Sequence, residues 1–364
     1  MPEGQDSRKA FTRFSLLRAG LFLFLAGCLL GGLPACAEGE HEECSFFDTS
    51  LHKTGEGMRY WYEEEGGFME ITGIPYKELG CKHCHVKSCD QCHAEEAGDQ
   101  TMRFSVDKSR KSDTCLVCHV RATAAMGFDK QAGFTDVHFG AGMACADCHK
   151  GKDVHGDGKF RHSMRAVDSV NVGCEDCHPR EDLSDEDYHT VHDGKLHCNA
   201  CHVTGSMTCN NCHFDEFLRT GVKKGKSIPS KSWVLLVNYQ GQVTSGNAQT
   251  LTGKGKTFVA YAPYYTHSVT KQGRTCDACH GSEHVKTIVD GKSVKITDFV
   301  DGTLVPAEGI IPLVPGQIEW AWLDMGENKP WTKMQNPPKP QVQIVGYGKP
   351  LTEEQIDILA EPME

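Results

Sequence analysis

Apolar and polar positions follow a readable pattern in only a few places along the chain. An apolar run from Ala19 to Leu30 comes directly after a basic cluster, Arg8, Lys9, Arg13 and Arg18. "WVLLVNYQGQV" and "KTFVAYAPYY" are β-branched and aromatic runs broken by Gly and Asn, and they predict a small antiparallel hairpin or sheet at about residues 230–265. "VKITDFV" alternates, and a Pro-rich, Trp-containing stretch follows it. The chain then ends on "LTEEQIDILAE", where Thr352 with Gln355 reads as a capping box opening a terminal helix. Residues 81–213 carry no such pattern, and short helices joined by loops are expected there.

Composition explains the gap. Hydrophobic residues make up 39% of the 364, low for one large core built from the chain's own side chains. Cysteines number 19. Sixteen of them fall into one repeated pattern, C-x-x-C-H, at Cys81–His85, Cys89–His93, Cys115–His119, Cys145–His149, Cys174–His178, Cys198–His202, Cys209–His213 and Cys276–His280. Seven of the eight copies lie within residues 81–213. The pairs "CKHCHVKSCDQCH" and "CNACHVTGSMTCNNCH" resemble each other, a slight sign of internal duplication.

C-x-x-C-H reads as covalent haem attachment. Two thiols three positions apart on a helical turn reach the two vinyl groups of a porphyrin, and the adjacent histidine faces the iron. Eight porphyrins would supply the apolar surface that the side chains do not. Zinc binding or disulfides also use paired cysteines, but neither explains a histidine after the second cysteine in all eight copies. The expected attachment residues are Cys81, Cys84, Cys89, Cys92, Cys115, Cys118, Cys145, Cys148, Cys174, Cys177, Cys198, Cys201, Cys209, Cys212, Cys276 and Cys279. The expected proximal ligands are His85, His93, His119, His149, His178, His202, His213 and His280.

Eleven further histidines can fill the opposite axial positions. Eight are nominated as distal ligands: His52, His138, His155, His162, His189, His192, His267 and His284. His41, His83 and His197 are left without a role. Met102, Met126, Met143, Met164 and Met207 are the rival ligands and would raise the potential, whereas bis-His ligation gives the low potentials suited to anaerobic respiration. Cys44 is the odd thiol of the exported chain.

The leader sets the compartment. The apolar run ends in "GGLPACA", and cleavage after Ala37 makes residues 1–37 a signal peptide. In a second reading "LAGC" is a lipoprotein box with Cys28 as the lipid anchor. Both place the protein in the periplasm or at the cell surface, with no membrane span after cleavage. The exported chain carries 34 Lys+Arg against 47 Asp+Glu, an acidic balance that argues against nucleic acid as a partner.

With these motifs the chain resembles the multihaem c-type cytochromes of anaerobically respiring bacteria, as an octahaem member. The resemblance rests on the motifs between Cys81 and His280. It implies eight haems c and a mostly irregular fold of short α-helices around a stacked multihaem core, beside the small β element and the C-terminal helix. The expected segments are a signal peptide (1–37), an N-terminal segment (38–80), a seven-haem core (81–213), a haem-free β-rich insertion (214–275), an eighth haem segment (276–290) and a haem-free C-terminal region (291–364). The function so implied is electron transfer along closely spaced haems, exchanging electrons with redox proteins or quinol-linked donors. Two alternatives are an oxidoreductase acting on a small nitrogen or sulfur compound at one open haem, and a homo-oligomeric filament subunit. The C-x-x-C-K motif of some multihaem nitrite reductases does not occur.

Overall fold

A computed structural model describes residues 46–79, 85–183, 187–205, 208–228, 233–325 and 330–362. The leader with Cys28, and His41, Cys44, Cys81, His83, Cys84 and Met207, lie outside the described residues. No described helix is long and apolar enough to cross a membrane.

A seven-stranded mixed sheet carries most of the buried apolar side chains among the described residues. Its strands are β1 (Thr208–His213), β2 (Lys226–Ile228), β3 (Trp233–Tyr239), β4 (Gln242–Gly253), β5 (Lys256–Pro263), β6 (Gly309–Pro312) and β7 (Gln341–Ile344). Strands β3, β4 and β5 form an antiparallel meander. Its two turns are Gln240-Gly241 and Lys254-Gly255, all four residues with positive φ. That is the type I′ geometry which matches strand twist, and glycine fits the second turn position without strain. The twelve-residue β4 is long enough to carry β3 along Gln242–Gly246 and β1, in parallel, along Gln249–Thr252.

The C-terminal part of the chain completes this sheet. Strand β6 pairs in parallel with β3, and β7 in parallel with β5. The segments 214–275 and 291–364, separate in the sequence reading, thus share one sheet. The run "WVLLV" has no polar alternation because β3 is covered on both faces. Trp233, Leu235 and Val237 pack with Ile311, Leu313, Trp320 and Trp322 on one side. Val234 and Leu236 pack with Ala200, Val203, Ile310 and Leu351 on the other. The terminal helix, Glu353–Ala360, closes the second cluster and opens on reciprocal Thr352–Gln355 caps of 3.2 and 3.0 Å.

Residues 85–199 are built differently. Their helices run mostly to four or five residues, with one of twelve, Val120–Gln131. Among the large set of buried apolar side chains, this stretch contributes Ala125 alone among its described residues before Ala200. Met102, Phe104, Val117, Val120, Phe160, Val167 and Val191 are all exposed.

The sheet, not the motif region, holds the aliphatic packing energy. Leu235→Ala removes a side chain that is 0% exposed and is expected to cost about 2–5 kcal/mol, read as a fall in the denaturant midpoint of the sheet's unfolding.

Candidate functional site

The motif thiols sit on the first turns of short helices or 3₁₀ turns. Cys145–Cys148 and Cys276–His280 are α-helical, Cys174–Asp176 and Cys198–Ala200 are 3₁₀, and in each the histidine N–H bonds back to the carbonyl of the first cysteine or sits in the same turn. That puts two thiols on one side and the imidazole beside them. The seventh motif is the exception and lies on β1. There Asn211 takes φ +51 and the ladder to β4 slips between Cys209 and Cys212. This local bulge brings the two thiols to the same side of a strand.

None of the fourteen described motif thiols forms a disulfide. Among the described residues no three His, Cys, Asp or Glu side chains converge as a structural zinc site requires. What converges instead is pairs of imidazoles. His119 faces His52 with ring centres 6.0 Å apart, and His93 faces His155 at 6.1 Å. His178 faces His138 at 6.2 Å. His149 faces His267, His202 faces His189 and His280 faces His192, each at 6.3 Å. Every pair joins a motif histidine to one outside the motifs. An imidazole nitrogen lies about 1.1 Å from its ring centre and bonds a transition metal at about 2 Å, so two rings on one ion have centres about 6.2 Å apart. The interplanar angles meanwhile range from 10° to 64°. A fixed distance with a free angle is what coordination along a shared axis gives.

Hydrogen bonds orient the rings. Nδ1 of His52 stands 3.0 Å from the Val154 carbonyl, that of His202 3.1 Å from the Thr270 carbonyl, and that of His280 3.2 Å from the Glu361 carbonyl. In that arrangement Nδ1–H donates and Nε2 is left as the free lone pair, the usual support for a metal-bound histidine. His138 is held from its own helix start, where buried Asp136 accepts the His138 backbone N–H at 2.8 Å and meets its Nδ1 at 3.3 Å. Burial lowers the pKa of His52, His149, His155, His192 and His267, favouring the neutral, metal-binding form. Nδ1 of His267 is buried with no hydrogen-bond partner.

These groups line one connected cavity of 3270 Å³. A single small-molecule pocket encloses about 300–1,000 Å³, so this space is large enough for several flat ligands. Its lining includes thiols or histidines from every motif and, from outside them, Arg165. The Arg165 guanidinium lies 3.9 Å over the Tyr265 ring, burial lowers its pKa, and no carboxylate pairs with it among the described residues. A buried cation facing an apolar cavity fits a ligand that brings its own carboxylates, as haem does. The site residues therefore fit the porphyrin that the motifs imply.

Neighbouring motifs also touch through their thiols. Cys115 hydrogen-bonds Cys145 and lies within electrostatic reach of Cys92. Cys148 is similarly close to Cys177, and Cys174 hydrogen-bonds Cys198. Cys201 lies close to Cys276 and Cys279.

Two nominated histidines stand elsewhere. Nε2 of His284 is 2.7 Å from the Glu308 carbonyl. His162 packs on Tyr60 at 4.6 Å and meets Glu56 at 3.3 Å. His197 stacks on Tyr265 at 4.5 Å. Met102 and Met164 are exposed. Two motif histidines face other side chains. Nε2 of His85 is 3.5 Å from the Tyr76 hydroxyl, and Nε2 of His213 is 3.3 Å from the Asp324 carboxylate. Tyr76, Arg165 and Asp324 carry no local sequence signal: a lone tyrosine, arginine or aspartate has no motif spacing, and Asp324 lies 111 residues from His213.

No family model matches the chain, and no solved structure matches it. Over 173 residues, 39% of the chain, it is 22% identical to the dissimilatory sulfite reductase MccA of Wolinella succinogenes. The match covers 24% of that protein, so the chain aligns with about a quarter of its relative's length.

Gly55 offers a test of the packing around the first motif. It has φ +66, and a Cβ there would lie 2.3 Å from His85 Cε1. Gly55→Ala is expected to destabilise by about 1–2 kcal/mol and to displace His85, seen as a lowered Tm together with a changed absorption spectrum of the purified protein.

Proposed function

We propose that the protein is an exported octahaem cytochrome c that carries electrons in anaerobic respiration, with haems held mostly between two histidines. The six histidine pairs at 6.0–6.3 Å carry this reading. A bound haem supplies a one-electron couple whose potential depends on its axial ligands and surroundings. The chain does the rest. Its paired thiols would anchor each ring, the six imidazole pairs would hold an iron between them, and burial around His52, His149 and His267 favours the neutral form that binds a metal.

The thiol contacts support an order for the path. The second motif neighbours the third, the third the fourth, the fourth the fifth, the fifth the sixth, and the sixth the eighth. The ends of this row are where a redox protein or a quinol-linked donor would dock, in the periplasm or at the cell surface.

A second reading is reduction of a small sulfur compound, favoured by the distant similarity to a sulfite reductase. Sulfite-dependent reoxidation of the dithionite-free, photoreduced protein separates the two. The electron-carrier reading expects no turnover above the free-haem background.

His192→Ala removes the partner of His280 while leaving Cys276 and Cys279 in place. The pyridine haemochrome count is expected to stay at eight per chain, while the low-spin ferric EPR intensity of one haem moves to a high-spin signal. An unchanged low-spin spectrum would sink the ligand assignment.

A further inference from the structure

Charge is unevenly placed in this molecule. The whole chain carries 38 Lys+Arg against 49 Asp+Glu, yet the cavity lining holds ten Lys or Arg against three Asp or Glu. Those three carboxylates do not serve Arg165. Glu175 pairs with Arg180 at 2.7 Å, Asp153 accepts the Asn171 N–H at 3.0 Å, and Asp168 is exposed. Two other lining arginines lack an ion pair among the described residues, but their guanidinium groups have acceptors. Arg274 donates to the Ala200, Cys201 and Thr204 carbonyls, and Arg121 donates to the Gln249 side chain at 3.2 Å. At Arg165 the hydrogen bonds among the described residues are all to the backbone: its N–H donates to Ser163 Oγ at 3.2 Å, and its carbonyl accepts from the Tyr239 hydroxyl at 2.8 Å. Its guanidinium lies 3.9 Å over the Tyr265 ring with no acceptor.

The sheet sets this side chain in place. Tyr239 ends β3, Tyr265 follows β5 and Gly346 follows β7. Gly346 has φ +66, and a Cβ there would lie 3.4 Å from Arg165 Cγ, so the arginine stem runs against bare backbone. His197, which joins none of the six imidazole pairs, stacks on Tyr265 at 4.5 Å and holds that ring. A guanidinium cannot shed its charge in a protein. Out of water it is costly without a counter-charge.

We infer that Arg165 binds a haem propionate and thereby raises the reduction potential of one haem in the row. This rests on the octahaem reading, in which every haem brings two carboxylates into the cavity. The ligand class follows from the donor: a planar guanidinium with five N–H groups matches a carboxylate. The sign follows from charge. An oxidised haem carries one more positive charge than a reduced one, but a cation paired with its propionate cancels a negative charge that favours the oxidised form. Inside the cavity that effect is screened less than at an exposed surface.

The test is an EPR-monitored redox titration of the purified holoprotein, with haem counted by pyridine haemochrome. Arg165→Gln is expected to keep eight haems and to lower the reduction equilibrium constant of one of them about tenfold, which is about 59 mV for one electron. Arg165→Lys keeps the charge and should hold every couple within about threefold of the wild type. Arg110→Gln removes a lining arginine that already faces Asp147 at 3.6 Å, and should move no couple by more than about twofold. Loss of one haem from Arg165→Gln, with eight retained in Arg165→Lys, would also support the contact. Eight haems with no couple moved by Arg165→Gln would overturn the inference and leave the octahaem reading intact. Loss of haem from both variants alike would assign Arg165 to packing and overturn it too. Wild-type potentials that follow phosphate concentration, with that dependence lost in Arg165→Gln, would make the occupant a free anion and overturn it as well. Fewer than eight haems in the wild-type protein would overturn the reading on which it rests.

Discussion

The spacing of the imidazole pairs is the constraint on which the rest of the motif region depends. Rings that merely stack choose their own distance: His197 on Tyr265 settles at 4.5 Å, and Tyr60 on His162 at 4.6 Å. The six pairs that join a motif histidine to another histidine hold 6.0–6.3 Å at interplanar angles from 10° to 64°. Other ring contacts reach similar distances, His155 on Phe47 at 6.3 Å and His267 on Phe139 at 6.1 Å, so what sets the six apart is that each joins a motif histidine to one outside the motifs. Two imidazoles sharing one metal would be held at that separation. Much else follows from that requirement: the short helices that present single histidines, the carbonyls that hold Nδ1, and the cavity between them.

A region built this way needs support from outside itself. Residues 85–199 bury almost no aliphatic side chains of their own, so the sheet carries the load. Val137 N–H bonds the Val269 carbonyl at 3.1 Å, and Asp136 accepts the Val269 N–H at 2.7 Å. Through these bonds the segment after β5 holds His138 and His267 in register, for two different motifs. Arg274 reaches the Ala200, Cys201 and Thr204 carbonyls from the same segment and fixes the sixth motif against the eighth. The core around Trp233 and Leu235 includes Val259 and Tyr261 of β5, the strand that leads into this segment.

Legibility follows the range of each interaction. The Thr352–Gln355 cap, the meander between Trp233 and Pro263 and the thiol spacing within each motif are settled over a few residues, so local pattern reveals them. Pairing is not local. His155 follows the fourth motif and faces the second, His138 precedes the fourth and faces the fifth, and His267 precedes the eighth and faces the fourth. Counting histidines could nominate them but not match them. His284 shows the limit of nomination: four residues past a motif histidine, it turns to the Glu308 carbonyl of the segment before β6, a contact 24 residues away. Strands β6 and β7 were hidden for the same reason, since parallel pairing with β3 and β5 leaves no turn signal in the sequence.

The seventh motif shows why the location of an element matters as much as its letters. Its cysteines and histidine stand at the same spacing as in the other seven copies. On a helical turn that spacing faces the histidine into the shared cavity, where another loop can bring a second histidine to meet it. On β1 the same spacing requires the Asn211 bulge, and the buried amide that stabilises the bulge is bonded on both sides to the 321–323 backbone. The partner brought to His213 is then the residue that follows Leu323, an exposed aspartate. Secondary structure, rather than motif chemistry, separates this position from the six that are closed by histidine.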